Sequence, residues 1–119
     1  MMMTTEFTLR SETRGAVTII YAQGPLNEEA GNAIVKLVVE KLSEGATRFV
    51  VDFGHAVAIT SPCVASILEI AEKIVDEKSG RLVISGLTDL NLKVFEMVGI
   101  LLYAESCPNT QEAETQALI

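Results

Sequence analysis

RFVVDFGHAVAITSPCVASIL, residues 48–68, reads as a buried strand, a short loop and the start of a helix. After Arg48, the apolar run through residue 53 is interrupted only by Asp52. Continuous rather than alternating apolar residues predict burial on both faces, as in a parallel sheet. Beyond the loop, Thr60 and Ser61 stand where a helix should begin, and Pro62 follows them. Proline is favoured at the first helical position because its missing N–H has no partner there anyway. Ser61 is therefore read as the N-cap, its hydroxyl at the positive end of the helix dipole. Such a position suits a phosphate. Plain capping, worth about 1 kcal/mol, accounts for the same residues when they are taken alone.

Upstream of this stretch, residues 7–10 form a short strand and residues 16–22 (AVTIIYA) a stronger one. The turn at Arg14 and Gly15 brings them close enough to pair as an antiparallel hairpin. Asn27 is a good N-cap, with Glu28 and Glu29 in the first turn. Ala30, Ala33, Ile34, Leu37, Val38 and Leu42 then recur with the period of an amphipathic helix, which Gly45 ends.

Downstream, the helix opened at Pro62 is expected to run on through Val75 and stop at Gly80. Residues 81–85 (RLVIS) form the next buried strand. Asp89 is expected to cap a third helix, with Leu92, Phe95 and Met97 or Val98 facing inward and Gly99 closing it. Residues 100–104 read as a last apolar strand. A short terminal helix starts at Asn109, with Glu112 completing a capping box. Ala113, Ala117 and Leu118 are its only apolar stripe, so it is expected to fray in solution.

The fold class is therefore α/β: a single mixed, mostly parallel sheet packed by helices in the order ββαβαβαβα. One domain over residues 7–118 is expected, with residues 1–6 disordered. At 119 residues the chain can bury a real core without disulfides or metal. Its 49% hydrophobic content, mean hydropathy of +0.35 and low aromatic share predict an aliphatic core.

The net charge of −7 argues against nucleic acid as a partner, because phosphate binding needs a basic surface. No apolar run approaches the roughly 20 residues of a membrane span, and residues 1–10 lack the pattern of a signal peptide. A cytoplasmic location is expected. Cys63 and Cys107 fit no metal spacing, so neither a metal nor any other cofactor is expected. Cys63 lies in the first turn after Ser61, where a helix dipole could lower a thiol pKa; a small buried hydrophobe is the other reading.

The constellations of catalysis are thin. A Ser61, His55 and Asp52 triad can be drawn on paper, but no nucleophile elbow or oxyanion-hole motif accompanies it. Asp52-Phe53-Gly54 spells a kinase motif in a chain too short to be a kinase. The chain is read as a protein without catalytic activity.

Three segments carry a family resemblance: VTIIYAQGPLNEEAGNAIVKLVVEKLSEG, RFVVDFGHAVAITSPCVASIL and VFEMVGILLYAESCPNTQEAETQAL. With the element order, they resemble the STAS domain family, of the type found in bacterial anti-sigma-factor antagonists. In that family a buried strand ends in a hydrophobic residue followed by Asp, Ser, a second hydroxyl residue and Gly. The first Ser is phosphorylated by a partner that is both serine kinase and anti-sigma factor, and only the unmodified form binds that partner. Ile59-Thr60-Ser61-Pro62-Cys63 occupies the motif, which places Ser61 at the phospho-acceptor position, with Thr60 second to it. Gly24-Pro25-Leu26-Asn27 falls where the family commonly has Gly-x-Leu-Asp.

The resemblance thus implies a phosphoprotein acting in signal transduction and transcription regulation by protein–protein interaction, with a partner-binding set of Asn27, Thr60, Ser61, Pro62 and Cys63. Three positions depart from the motif: Thr60 replaces the Asp, Pro62 the second hydroxyl and Cys63 the Gly. Those departures favour a rival within the resemblance, a phosphorylation-independent STAS scaffold subunit of a signalling or lipid-transport complex. A small-molecule or nucleotide binder ranks below both, for want of a phosphate loop. Self-association into a homodimer is a further expectation.

Overall fold

The computed structural model of the chain describes residues 6–119. The disordered start expected over residues 1–6 lies outside them, Glu6 excepted. The expected mixed sheet is present. Strands β1 (Thr8–Arg14) and β2 (Val17–Leu26) form the antiparallel hairpin, with Arg14 opposite Val17 across a tight turn. Helix α1 (Glu28–Ser43) follows, capped by Asn27, whose Oδ1 accepts from the Ala30 amide at 2.9 Å. Strand β3 (Arg48–Asp52) then pairs in parallel with β2.

The segment expected as a loop after β3 contains a further strand. β4 (Ala56–Ile59) pairs in parallel with the last residues of β2, Gly24 opposite Ala56 and Leu26 opposite Ile59. Helix α2 (Ser61–Ala71) begins directly behind it. Its N-cap is Thr60 rather than Ser61, which is the first helical residue. The expected continuation to Gly80 also changes character. Residues Glu72–Glu77 form a π-helical segment, and the Gly80 amide closes the turn on the Ile74 carbonyl at 2.7 Å.

β5 (Arg81–Ser85) pairs in parallel with β3. α3 (Asp89–Met97) is capped by Thr88, whose hydroxyl accepts from the Asn91 amide, and not by Asp89. Of its expected inward residues Phe95 is buried, but Met97 and Val98 are exposed. Ile100–Leu102 is a 3-10 turn, not the expected strand. The last strand, β6 (Glu105–Cys107), comes later, is polar, and lies parallel to β5 at the sheet edge. α4 (Thr110–Ala117) completes the chain, with Asn109 accepting from the Glu112 amide at its start.

Alternate residues of the central strands feed two cores, as a strand's period of two requires. Ile20, Ala22, Phe49, Val51, Leu82 and Ile84 face α1, α2 and α3. Val17, Ile19, Val50 and Val83 face Ala113 and Ala117 of α4. The continuous apolar reading of β3 and β5 is thus explained: both faces are covered. α4 is docked on the sheet rather than free of it. Ala113 and Ala117 are fully buried, and Arg48 and Arg81 donate to the Ala117 and Gln116 carbonyls, both at 2.6 Å. Among the described residues no helix is long and apolar enough to cross a membrane.

α1 and α2 pack against each other through Gly31. A Cβ there would meet Ser66 Oγ at 2.6 Å, Ser66 Cβ at 2.9 Å and Cys63 Cα at 3.1 Å. Gly31→Ala is expected to cost about 1–3 kcal/mol by overpacking, read from urea denaturation followed by circular dichroism. Unchanged stability in that variant would show that the two helices separate without cost.

Candidate functional site

The site forms where α1 and α2 begin, beside the carboxyl ends of the parallel strands. Crevices outside those ends are where open α/β sheets place their ligands. One carbonyl joins the two helix starts. The Thr60 amide and the Thr60 hydroxyl both donate to the Leu26 carbonyl, at 3.0 and 3.2 Å. On the other side of the same pairing, the Gly24 amide donates to the His55 carbonyl at 2.9 Å. Asn27 and Ser61, distant in sequence, are thereby held next to one another.

Thr60 occupies the N-cap position, but its hydroxyl is turned to Leu26 and accepts from no first-turn amide of α2. The other three α-helices each have a side-chain oxygen accepting from a first-turn amide and an acidic residue in the first turn; α2 has neither. Its positive end is left without a compensating charge. Val64 donates to the Thr60 carbonyl at 2.9 Å, and Pro62 has no amide proton, so the amides of Ser61 and Cys63 remain at the helix start. Ser61 is exposed, and its hydroxyl has no hydrogen-bond partner among the described residues.

The sequence-predicted residues separate by depth. Asn27, Thr60, Ser61 and Pro62 are exposed, whereas Cys63 is fully buried beneath them. Burial pushes its thiol up to about 11, so the helix dipole does not make it a reactive thiolate; the hydrophobe reading describes it.

Ser61 also opens onto a groove that sequence reasoning missed. A cavity of about 240 Å³ lies between α2 and α3, lined by Ser61, Val64, Ala65, Leu68, Val94 and Val98. The signal was present in the spacing: 61, 64, 65 and 68 fall on one helix face. What hid it was the assumption that every apolar position on that face belonged to the core.

The drawn triad does not assemble. Asp52 is buried and accepts from Ser85 Oγ at 2.7 Å and from Thr110 Oγ1 at 3.2 Å, with the Gly54 amide at 3.3 Å. It joins β3, β5 and the start of α4, while His55 is exposed on its turn. Among the described residues no group of His, Cys, Asp and Glu could hold a metal ion. A larger concavity of about 500 Å³ runs along Cys107, Asn109 and α4, on the opposite face of the sheet from Ser61.

No model of a known protein family matches the chain, and no curated protein sequence matches it. Solved structures do. An anti-sigma factor antagonist from Mycobacterium paratuberculosis superposes with a TM-score of 0.83 at 13% identity, over 97% of each chain. An anti-sigma-factor antagonist (STAS) domain protein from Planctomyces limnophilus gives 0.73 at 15% identity, over 92% of this chain and 96% of that one. The phosphorylated form of the Bacillus cell fate determinant SpoIIAA gives 0.72 at 21% identity, over 93% and 98%. The chain has the STAS fold, the fold of these anti-sigma-factor antagonists.

The two thiols provide a check on the site's geometry. Cys107 is partly exposed, and burial, with Glu112 and Glu105 nearby, raises its pKa as well. At pH 8 a thiol with a pKa near 11 is only about one part in a thousand thiolate. With a disulfide reagent the native chain is expected to react slowly at Cys107 and at Cys63 only on unfolding. Fast labelling of Cys63 in the native state would contradict its burial.

Proposed function

We propose that the chain is a cytosolic regulatory docking module of the anti-sigma-factor-antagonist kind, binding its protein partner around Ser61 and released by phosphorylation there. One observation carries the reading: the unpartnered Ser61 hydroxyl stands at the mouth of the apolar α2–α3 groove. Thr60 is the poorer acceptor because its hydroxyl is already bonded to Leu26. The existence of SpoIIAA in a phosphorylated form is consistent with modification on this fold.

The chemistry of the switch is electrostatic. A phosphate adds about −1.5 to −2 charges at neutral pH. In the free protein the uncompensated start of α2 and the amides of Ser61 and Cys63 favour that charge. In a complex, the same charge must be buried against a partner and an apolar groove, where nothing cationic lines the cavity. A penalty of about 2.7 kcal/mol lowers affinity a hundredfold. The partner on this reading is an anti-sigma factor with serine kinase activity, and the output is sigma-factor release.

A phosphorylation-independent scaffold is the second reading. It is favoured by the lost carboxylate at position 60, by Pro62 in place of the second hydroxyl and by Cys63 in place of the motif glycine, which leave only Ser61 of the motif's four-residue core.

Tagged wild-type and Ser61→Asp chains presented to native-host lysate, with phosphosite mapping of the chain recovered from the same cells, separate the two. A kinase-type anti-sigma factor retained by wild type, lost by Ser61→Asp at least a hundredfold, and phosphate on Ser61 are expected. Identical partners for both baits, with Ser61 unmodified, would reject the switch and leave the scaffold.

A further inference from the structure

We infer that the α2–α3 groove seats an amphipathic helix of the protein partner, apolar where it meets Ser61 and basic at its other end. The inference rests on the docking reading above and names the element that docks.

The apolar surface is larger than the groove itself. Leu90, Val94 and Val98 recur at four-residue spacing on α3, and Met97 lies beside them, a stripe that a helix ordinarily turns to a core. Here only Val94 packs on the core, and Leu90, Met97 and the C-cap Val98 are turned outward. Leu90 is 72% exposed, Met97 84% and, in the 3-10 turn that follows, Leu102 88%. Phe95, on the other side of α3, anchors the helix by an edge-on contact with Phe53, ring centroids 5.6 Å apart. α3 is therefore fixed, and its outer stripe is presented. Exposed apolar patches of this kind mark interaction sites. A trough between two helices, lined at positions 61, 64, 65 and 68 of one and 94 and 98 of the other, matches the anchor spacing of a third helix laid into it.

Charge decides the occupant. The Ser61 end of the groove carries no acid on α2's first turn. At the other end Glu72 and Asp76 follow along α2 and its π-helical continuation, beside Tyr103 of the segment after α3. Lys73 there is paired with Glu69 at 3.9 Å, and Lys93 lies on the outer stripe of α3. Tyr103 sits against Asp76 and Glu72, and their charges, Asp76 first, push its pKa up. A second copy of the chain would bring the same acids together, in a molecule already at −7. A drug-sized apolar ligand would want a pocket of about 300 Å³ or more, well enclosed. A helix with lysines or arginines at one end satisfies both halves of the groove. The polarity also reconciles a basic partner with a phosphate switch: at the Ser61 end the docked helix offers apolar side chains, not cations.

The test uses two peptides of about 18 residues with the same leucine stripe. One carries lysines at one end, the other glutamates at the same positions. Each is titrated into the full chain with amide shifts recorded by NMR. The lysine peptide is expected to bind at least tenfold more tightly, with shifts confined to α2, α3 and the 3-10 turn. The pair Glu72→Lys and Asp76→Lys is expected to reverse the preference, and Met97→Gln, at a site too exposed to disturb folding, to weaken the lysine peptide severalfold. Equal affinities, no binding by either peptide, or shifts on α4 or β1 would overturn the inference. So would a concentration-dependent dimer protecting the groove. These outcomes are distinct from failure of the docking reading. A partner lost by Ser61→Asp but indifferent to Glu72→Lys and Asp76→Lys would keep the Ser61 switch and reject the docked helix.

Discussion

The close approach of α1 and α2 at Gly31 is the constraint on which the site depends. Without a side chain at that point, Ser66 and the backbone of Cys63 come within van der Waals range of α1. The first turns of both helices are thereby pressed together, and the Leu26 carbonyl, accepting twice from Thr60, locks the strand ends that feed them. Interiors packed at crystal-like density do not deform continuously. The distance between Asn27 and Ser61 is thus set by the helix crossing and not by loop preference. On the docking reading proposed above, a face assembled this way is set before any partner arrives, which lowers the ordering cost of association.

Beneath that face, a single buried carboxylate ties together parts of the chain that the sheet alone would not. Asp52 ends β3 in the middle of the sheet and accepts hydroxyls from Ser85 on β5 and Thr110 at the start of α4. Gly86 follows Ser85 with φ +76°, and a Cβ there would lie 2.7 Å from the Gly54 amide nitrogen and Cα. The turn carrying His55 is therefore packed down on the β5 exit. α4, held at its far end by Arg48 and Arg81, covers the second face with nothing larger than alanine. Small side chains let a two-turn helix lie flat on Val50 and Val83. The sequence marks Ala113 and Ala117 as one stripe, but two alanines supply too little apolar signal to show that the helix docks.

Much of the fold was legible because the strongest signals were local. Asn27 before two glutamates, the period of α1 and the unbroken apolar runs of β3 and β5 all correspond to what is seen. The misreadings share a cause: tertiary context overrode local pattern. β4 is four residues long, with Val57 79% exposed, and owes its strand form to pairing with the end of β2. The apolar run Ile100–Leu102 looked like a strand, but Gly99 at φ +93° turns the chain, and only Ile100 and Ala104, one helical turn apart, reach the core. The true edge strand is polar because a strand at the margin buries little. Of the site residues, Asn27, Thr60, Ser61 and Pro62 could be placed on one face from the sequence. Burial of Cys63 was one of two readings its sequence allowed, and the groove behind Ser61 was legible only as a shared helix face, since both depend on how α2 is rotated against its neighbours.

The residues around Ser61 divide the structural work between them. A helix crossing as tight as that of α1 on α2 requires one residue without a side chain at the contact. Here α1 supplies it as Gly31, so α2 can carry Cys63 at the contact, and the thiol fills the core instead of leaving a void. Thr60 has a structural task of its own. By bonding to Leu26 twice it secures the strand-to-helix junction without a carboxylate, so no negative charge stands beside Ser61. Pro62 fixes the backbone dihedral at the first turn. Together the three hold Ser61 outward and at the head of an apolar groove. Packing at the helix crossing and the paired hydrogen bonds at Leu26 set that posture, and the Ser61 hydroxyl itself takes no part in it.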